Sequence, residues 1–244
     1  MKIIKDGDQY STDFTKCLKY LNKHAAEIVA KARVSSAVDD FSSQLSSEST
    51  LEILVLGGLG GRVDQAFSQI HHLYTMAQTQ RECHEASFKE EDGLNQNSKD
   101  SPSTRCNIYL ISEESITFIL QEGKNIIHTP ATNRPDIYTQ SRPELQETYR
   151  PSLIRGGTEN NMSEFFFEEN VGIVPLLGPA SITTHGLEWD VQDWHTAIGA
   201  QLSTSNHIRA DKIEIKTSMP VLFTVELAQR LKKAKAQEDT LFSL

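Results

Sequence analysis

A glycine-rich turn between an apolar strand and a helix constrains the fold of this chain more than any other feature. The apolar run 51–56 ends at four glycines within five positions, which are Gly57, Gly58, Gly60 and Gly61. Glycine lets the backbone approach another group closely, and the free N–H groups at the start of a helix favour an anion. Arg62 suits a phosphate, and Asp64 suits a metal ion or a hydroxyl. The pattern predicts a phosphate-binding strand–turn–helix unit, or a turn that only packs a helix tightly on a sheet.

Two common nucleotide-binding fingerprints are absent from this turn. The dinucleotide pattern G-x-G-x-x-G fails because Val63 stands where the third glycine belongs. The Gly-Lys-Ser/Thr ending of a phosphate-binding loop is not present either. A dinucleotide-dependent oxidoreductase, which the turn alone would suggest, is therefore disfavoured.

The charge balance and the cysteine pattern exclude several classes of protein. The 244 residues carry 24 Lys and Arg against 33 Asp and Glu, a formal net charge of −9, which disfavours binding to nucleic acid or to an anionic membrane. The sequence has neither an apolar stretch of about 18 residues nor a secretory signal, so a cytoplasmic protein is expected. Three cysteines without C-x-x-C spacing predict free thiols.

The first part of the chain has the pattern of an α/β domain. Ser11 or Thr12 can cap a helix whose apolar positions recur with a period near 3.6 as far as about Arg33. A buried strand is expected at 51–56 and a helix at 63–77. Residues 78–105 are polar and lack apolar periodicity, which predicts a flexible insertion.

The second part predicts antiparallel β structure of the sandwich or barrel type. Short apolar or alternating segments separated by turn residues predict strands. They comprise a strand at 107–111, a hairpin of 116–120 with 125–128, and further strands at 171–177, 180–184, 198–202, 212–216 and 221–225. An irregular, proline-containing stretch at 132–161 is expected to be an insertion into this domain.

Three further constellations have residue types that suit chemistry. Asp13 and Lys16 lie three apart in the first turn of a helix, where they suit magnesium and phosphate or form only a cap and a surface ion pair. The run 203–206 offers three hydroxyls and an amide, which suit a polar heterocycle or a simple turn. Trp189 can stack on a cationic ring or lie in the core.

Taken in order along the chain, these segments resemble the thiamine pyrophosphokinase family, in its fungal-like form. The five blocks that carry the resemblance are 8–9 with 12–17, 57–65, 172–175 with 178–179, 184–189, and 203–206. The glycine turn and the Ser-Thr-Ser-Asn run are the most specific of them. The resemblance implies transfer of a diphosphoryl group from ATP to thiamine, which gives thiamine diphosphate and AMP.

The resemblance also implies a fold and partners. An α/β ATP-binding catalytic domain over 1–130 would precede an all-β domain, a C-terminal β-sandwich over 131–228 that binds thiamine, and a charged tail over 229–244. A homodimer would form with active sites between subunits. ATP would be the co-substrate and Mg²⁺ the metal.

Site residues follow by resemblance only. Those implied for ATP are Gln9, Thr12, Gly58, Gly60 and Gly61. Those implied for catalysis are Asp13, Lys16, Arg62 and Asp64, with Asp13 and Asp64 holding the magnesium. Those implied for thiamine are Ser203, Ser205, Asn206 and Trp189.

The chain departs from the family pattern near its start. Family members carry a Gly-Asp-Phe-Asp-Ser segment, which supplies metal-binding aspartates, upstream of the Thr-Asp block, and this sequence has none. Tyr10 also replaces an aspartate that many members have. We therefore expect an α/β domain that is incomplete at its N-terminus, a chain that is poorly active alone and prone to associate, and, as an alternative function, a non-catalytic thiamine-binding or dimer-partner protein.

Overall fold

The chain divides into two units, residues 1–110 and 111–244. The structure, a computed structural model, describes residues 3–36, 50–90, 104–129, 132–134 and 165–232. The division precedes the boundary expected at 130, because two strands counted with the first domain lie in the second unit. Residues 91–103 of the first expected insertion, 135–161 of the second and 233–244 of the charged tail lie outside the described residues. Within the described ranges, no helix combines the length and apolar composition needed to cross a membrane.

The first unit consists of helices and a strand pair. Its elements are α1 (Asp13–Lys23), α2 (Ala25–Ser36), β1 (Thr50–Leu56), α3 (Val63–Glu90) and β2 (Arg105–Ile111), whose last residue begins the second unit. Strands β1 and β2 are hydrogen-bonded neighbours, and the Asn107 amide donates to Glu52 at 3.0 Å across them. The helix–strand–helix order confirms the α/β interpretation.

Two helix predictions were wrong in their lengths. The first helix does not continue to Arg33, because His24 leaves helical dihedrals (φ −107°, ψ 12°) and α2 starts after it. The second helix continues well past residue 77, where a flexible insertion was expected. Side-chain hydrogen bonds one turn apart support this polar stretch, such as Gln78 Nε2 to Glu82 Oε1 at 3.0 Å.

Helix α1 is fixed at its start and against α3. Thr12 is the N-cap, and its hydroxyl accepts from the Thr15 N–H at 3.1 Å, as predicted. The Phe14 ring meets the His72 ring edge-on, with centroids 5.0 Å apart. His72 is only 8% exposed. The packing on α3 therefore positions the first turn of α1, where Asp13 and Lys16 lie.

The second unit is a sandwich of two antiparallel sheets, as the resemblance implied. Its strands are β3 (Ser115–Leu120), β4 (Gly123–His128), β5 (Thr132–Asn133), β6 (Phe167–Val174), β7 (Ala180–His185), β8 (Trp194–Thr196), β9 (Ser203–His207), β10 (Lys212–Thr217) and β11 (Val221–Leu227). One sheet has the order β3-β11-β6-β5, with β9 also on β6, and the other has the order β4-β10-β7-β8. Only the short β5 pairs parallel. Phe223 and Ile173 from one sheet and Ile182 and Ile215 from the other are buried in one core.

The expected hairpin between 116 and 128 was wrong, since β3 and β4 belong to different sheets. The chain crosses between the sheets at a corner that the Asn125 side chain stabilises. Its Oδ1 accepts from Gln121 N at 3.0 Å, and its Nδ2 donates to Gln121 O at 2.8 Å. Gly123 at this corner has φ +97°, a region that favours glycine.

The strand expected at 198–202 was also wrong. Ala200 N donates to Ala197 O at 3.0 Å, which closes a turn around Gly199 (φ +84°). The strands lie on either side of this turn, as β8 and β9. The strand expected at 171–177 starts earlier, at Phe167, and ends at Val174.

We expect Gly186→Ala to destabilise the second unit more than Gly199→Ala does. Both glycines have positive φ, but an added Cβ at Gly186 would lie 2.8 Å from the Lys212 carbonyl oxygen, whereas nothing lies within 4 Å at Gly199. The expected loss of unfolding free energy is about 3 kcal/mol for Gly186→Ala and about 1 kcal/mol for Gly199→Ala. Denaturant titration followed by tryptophan fluorescence measures both, and equal losses would contradict the close contact.

We expect the first unit to lose stability as the pH falls below about 6.5. Burial, and secondarily the charge of His71, lowers the pKa of His72 below its ordinary value of 6.5. His72 therefore binds a proton more readily in the unfolded chain than in the folded one. Its neutral form contributes fully to the free energy of unfolding above pH 6.5, and this contribution is lost as the pH falls below that value. The measurement is denaturant unfolding between pH 5 and 8, followed by the helical circular dichroism signal. His72→Gln should flatten the pH dependence of the unfolding free energy. The control His71→Gln, at an exposed position, should keep most of that dependence.

Candidate functional site

The glycine turn after β1 needs its glycines for different reasons. Gly57 (φ +74°) and Gly61 (φ +68°) adopt left-handed backbone conformations that a side chain would strain. A Cβ at Gly58 would lie 3.3 Å from the Leu110 side chain, so this position packs against β2. A Cβ at Gly60 would meet nothing within 4 Å. The turn therefore has features of both interpretations of the sequence. Gly58 packs closely against β2, and the backbone at Gly60 and Gly61 has open space beside it.

Arg62 and Asp64 form a forked ion pair directly after this turn. Arg62 Nη2 donates to Asp64 Oδ2 at 2.6 Å and Nε donates to Oδ1 at 3.1 Å. The guanidinium hydrogen bonds hold the pKa of the Asp64 carboxyl below its ordinary value. Both side chains are exposed, and bonds to described residues use two of the five guanidinium hydrogens. Arg62 therefore keeps donors for a further anion.

The start of α1 carries the other predicted pair. Lys16 Nζ lies 3.7 Å from Asp13 Oδ1, and the Asp13 side chain is fully exposed. Gln9, before the helix, is exposed as well. The preceding turn is held by Asp8 Oδ1, which accepts from Tyr10 N at 2.9 Å. Between described residues, no hydrogen bond or ion pair joins the Asp13–Lys16 pair to the Arg62–Asp64 pair.

The two carboxylates predicted to hold magnesium are exposed and lie in ion pairs. Each predicted ligand carboxylate already has a cationic partner, Lys16 for Asp13 and Arg62 for Asp64. Nowhere in the described part of the chain do three or more His, Cys, Asp or Glu side chains come together as metal ligands. Magnesium in proteins takes carboxylate oxygens that are free to coordinate it. One or two carboxylates suffice for a magnesium ion that also binds substrate phosphates, so magnesium binding by Asp13 and Asp64 stays a prediction.

On the thiamine side, a β-bulge in β9 separates the predicted residues. Ser203 pairs with Ile173 and Asn206 with Val171, so two residues, Thr204 and Ser205, oppose the single Gly172. Val171 and Ile173 are core residues, which places Ser203 and Asn206 on the core-facing side of the sheet. Ser205 is exposed and has φ +59°, an uncommon conformation for serine. The structure thus brings Ser203 and Asn206 to one face and Ser205 to the other.

Asn206 joins β9 to the loop that carries Trp189. Its side chain is 5% exposed. Oδ1 accepts from Trp189 N at 3.1 Å and from His207 N at 2.8 Å, and Nδ2 donates to Trp189 O at 2.9 Å. Trp189 itself is 55% exposed, so it is not a core tryptophan. Asn206 therefore holds Trp189 at the surface, and direct contact of Asn206 with a ligand stays a prediction.

Three charged or titratable residues beside Trp189 were missed from the sequence. Glu188 Oε2 accepts from His207 Nδ1 at 2.6 Å and also from Arg209, and Arg209 pairs with Glu169 as well. Hydrogen bonding by His207, and secondarily Arg209, lowers the pKa of Glu188. The sequence signal for this network is weak, because its members lie about twenty positions apart.

A shallow polar cleft lies elsewhere on the second unit and contains none of the predicted residues. Its volume is about 290 Å³, and its lining comprises Asn133, Arg134, Glu168, Glu169, Asn170, Glu226 and Gln229. Its polar groups bond with one another, as in the Asn133 amide that donates to Glu168 at 2.8 Å. The cleft therefore adds no predicted residue to the candidate site, and it is linked to the network beside Trp189 through Glu169, which bonds Arg209.

Two models of one family match the chain in order. The model described as Thiamin pyrophosphokinase, catalytic domain, matches residues 1–84, which include the α1 pair and the glycine turn. The model described as Thiamin pyrophosphokinase, vitamin B1 binding domain, matches residues 158–222, which include Trp189 and the β9 bulge. The two matches cover all of the residues predicted for the site.

Individual relatives agree with these models. Thiamine pyrophosphokinase 1 of Arabidopsis thaliana is 25% identical over 93% of this chain and 57% of its own length. Thiamine pyrophosphokinase of Saccharomyces cerevisiae is 23% identical over 92% of the chain and 61% of its own length. The chain thus spans about three fifths of the length of these curated relatives.

Solved structures show the same fold. The thiamin pyrophosphokinase from Candida albicans aligns with a TM-score of 0.55 at 21% identity, over 93% of this chain and 65% of that one. The yeast enzyme aligns with a TM-score of 0.54 at 20% identity, over 92% and 61%. Together with the two ordered matches of the family models, this fold shows that the chain belongs to the thiamine pyrophosphokinase family.

Proposed function

We propose that this protein transfers a diphosphoryl group from ATP to thiamine, which yields thiamine diphosphate and AMP. The observation that carries the proposal is the order of the two family matches, a catalytic-domain match followed by a vitamin B1 binding match in one chain. The hydroxyl oxygen of thiamine would form a bond to the β-phosphorus of ATP. The bond from that phosphorus to the α–β bridging oxygen would break, and AMP would leave with this oxygen while the hydroxyl proton is lost.

The first unit supplies the groups for ATP in this proposal. Lys16 and Arg62 would neutralise charge on the phosphate oxygens, which is the main requirement of phosphoryl transfer. Their partners Asp13 and Asp64 would orient these two cations, as the observed ion pairs indicate. Gln9, Thr12, Gly58, Gly60 and Gly61 are the residues proposed to face the nucleotide. Magnesium would enter with the phosphates of ATP, and Asp13 and Asp64 are the carboxylates proposed to meet it.

The second unit supplies the surface for thiamine. Trp189 offers an exposed indole face suited to a cationic thiazolium ring. Ser203 and Ser205 are proposed to offer hydroxyl groups from the two sides of the bulge, and Asn206 holds the loop. A homodimer and a cytoplasmic location also stay part of this proposal. The non-catalytic alternative is not favoured, since the catalytic-domain match includes both ion pairs.

The test is an assay of the purified chain with ATP, magnesium and thiamine that follows AMP and thiamine diphosphate together. We expect both products in equal amounts. Calorimetric binding of thiamine without AMP release would support the non-catalytic alternative instead. If the chain neither binds thiamine nor releases AMP, the proposed function is wrong.

We expect Arg62→Ala to lower kcat/KM for ATP by about 100-fold, because one preorganised cationic donor to the phosphates is lost. Lys31→Ala is the matched control, since Lys31 is an exposed cation of the same unit that pairs with Glu27 at 2.6 Å on α2. Steady-state kinetics of AMP release measures both variants. Equal activity of Arg62→Ala and Lys31→Ala would contradict the role given to Arg62.

A further inference from the structure

Trp189 has a fixed backbone and an exposed ring, and these two properties need separate explanations. The Asn206 amide fixes the backbone N–H and carbonyl of Trp189, but those bonds do not determine the direction of the indole. An aromatic ring that is 55% exposed keeps rotameric freedom unless another group restrains it. A stacking surface works best when its orientation is set before the ligand arrives.

The ring of His207 provides such a restraint. The His207 and Trp189 ring centroids are 5.0 Å apart with an interplanar angle of 44°, within the range of favourable aromatic pairs. The backbone N–H of His207 donates to Asn206 Oδ1 at 2.8 Å. The same amide therefore sets the positions of both aromatic residues.

The orientation of His207 is itself determined by charged neighbours. His207 Nδ1 donates to Glu188 Oε2 at 2.6 Å, which fixes the rotation of the imidazole. Glu188 is held in turn by Arg209, whose side chain is 14% exposed and which also bonds Glu169. Hydrogen bonds between charged groups are stronger and more directional than neutral ones. The network thus runs from the partly buried Arg209 to the exposed indole.

We propose that His207 is a positioning residue, whose ring, oriented by Glu188 and Arg209, holds the Trp189 indole as a preformed stacking surface for thiamine. The proposal rests on the proposed function for its ligand, but the restraint on Trp189 is a property of the ligand-free protein. His207 acts through Trp189 and has no assigned contact with the reacting atoms.

The experiment uses the full chain with Trp194→Phe as background, because Trp189 and Trp194 are its two tryptophans. Time-resolved fluorescence anisotropy without ligand then reports local motion of the Trp189 indole. Calorimetry with thiamine reports affinity, and circular dichroism reports folding. The variants are His207→Ala, which removes the ring, and His207→Phe, which keeps a ring without the Glu188 bond. His128→Ala is the control, since His128 is an exposed histidine of β4 in the other sheet.

We expect His207→Ala to speed the local anisotropy decay and to weaken thiamine binding by about five- to tenfold, the worth of one aromatic contact. His207→Phe, which keeps the ring contact but loses the Glu188 bond, should lie between the background protein and His207→Ala in both measurements, and His128→Ala should match the background protein. In steady-state kinetics, KM for thiamine should rise in His207→Ala while kcat changes little. This is the pattern expected when an interaction with the substrate that is equally strong in the ground state and the transition state is lost.

The outcomes separate this inference from the function on which it rests. A folded His207→Ala protein with unchanged anisotropy decay and unchanged thiamine affinity would overturn the inference. Faster decay in a protein whose background form binds no thiamine would support the restraint on Trp189 and refute the proposed function. If His207→Ala does not fold, Glu188→Ala, which removes the acceptor of the His207 Nδ1 hydrogen bond, replaces it, and an unchanged anisotropy decay of the Trp189 indole in that variant would overturn the role of the network.

Discussion

The candidate thiamine surface depends on one buried amide. Asn206 uses its oxygen twice and its nitrogen once to join β9 to the Trp189 loop. Asn206 is nearly inaccessible to water, so water cannot replace any of these hydrogen bonds. A broken bond would therefore leave a buried polar group unsatisfied. The amide can reach this loop only because the bulge in β9 turns Asn206 to the core-facing side. A regular strand would place Asn206 and Ser203 on opposite faces.

The conformation of Ser205 follows from the same bulge. Two residues of β9 have to fit against Gly172 of β6, and the chain accommodates the extra residue with Ser205 at φ +59°. A non-glycine residue in this region is unusual and persists when its surroundings determine it. Here the surroundings are the strand pairing on one side and the Asn206 bonds on the other. The local strain and the polar site thus have one structural cause.

Sequence patterns predicted the elements well and their pairing less well. The Thr12 cap, the strand before Gly57 and most strands of the sandwich follow from local rules, namely side-chain capping, apolar periodicity and turn residues. The extension of the second helix past residue 77 could not be predicted, because this polar sequence lacks the apolar periodicity that indicates a helix, although hydrogen bonds such as that of Gln78 with Glu82 support it. The corner at Asn125 could not be predicted either, since the sequence of a two-residue connection does not distinguish a hairpin from a crossing between two sheets. The Glu188, His207 and Arg209 network depends on strand register, which no local pattern specifies.

The two ion pairs of the first unit change what its carboxylates are expected to do. The chain has a net charge of −9, which repels a polyphosphate. An isolated lysine or arginine would have to attract the polyphosphate against this repulsion. Pairing with Asp13 and Asp64 adds negative charge locally, but it also favours one direction for each cation at little entropic cost, since the partners are only two or three positions apart in sequence. Arg62 retains hydrogens beyond the two given to Asp64. In the proposed function, Asp13 and Asp64 would contribute by orienting Lys16 and Arg62, as well as by meeting magnesium.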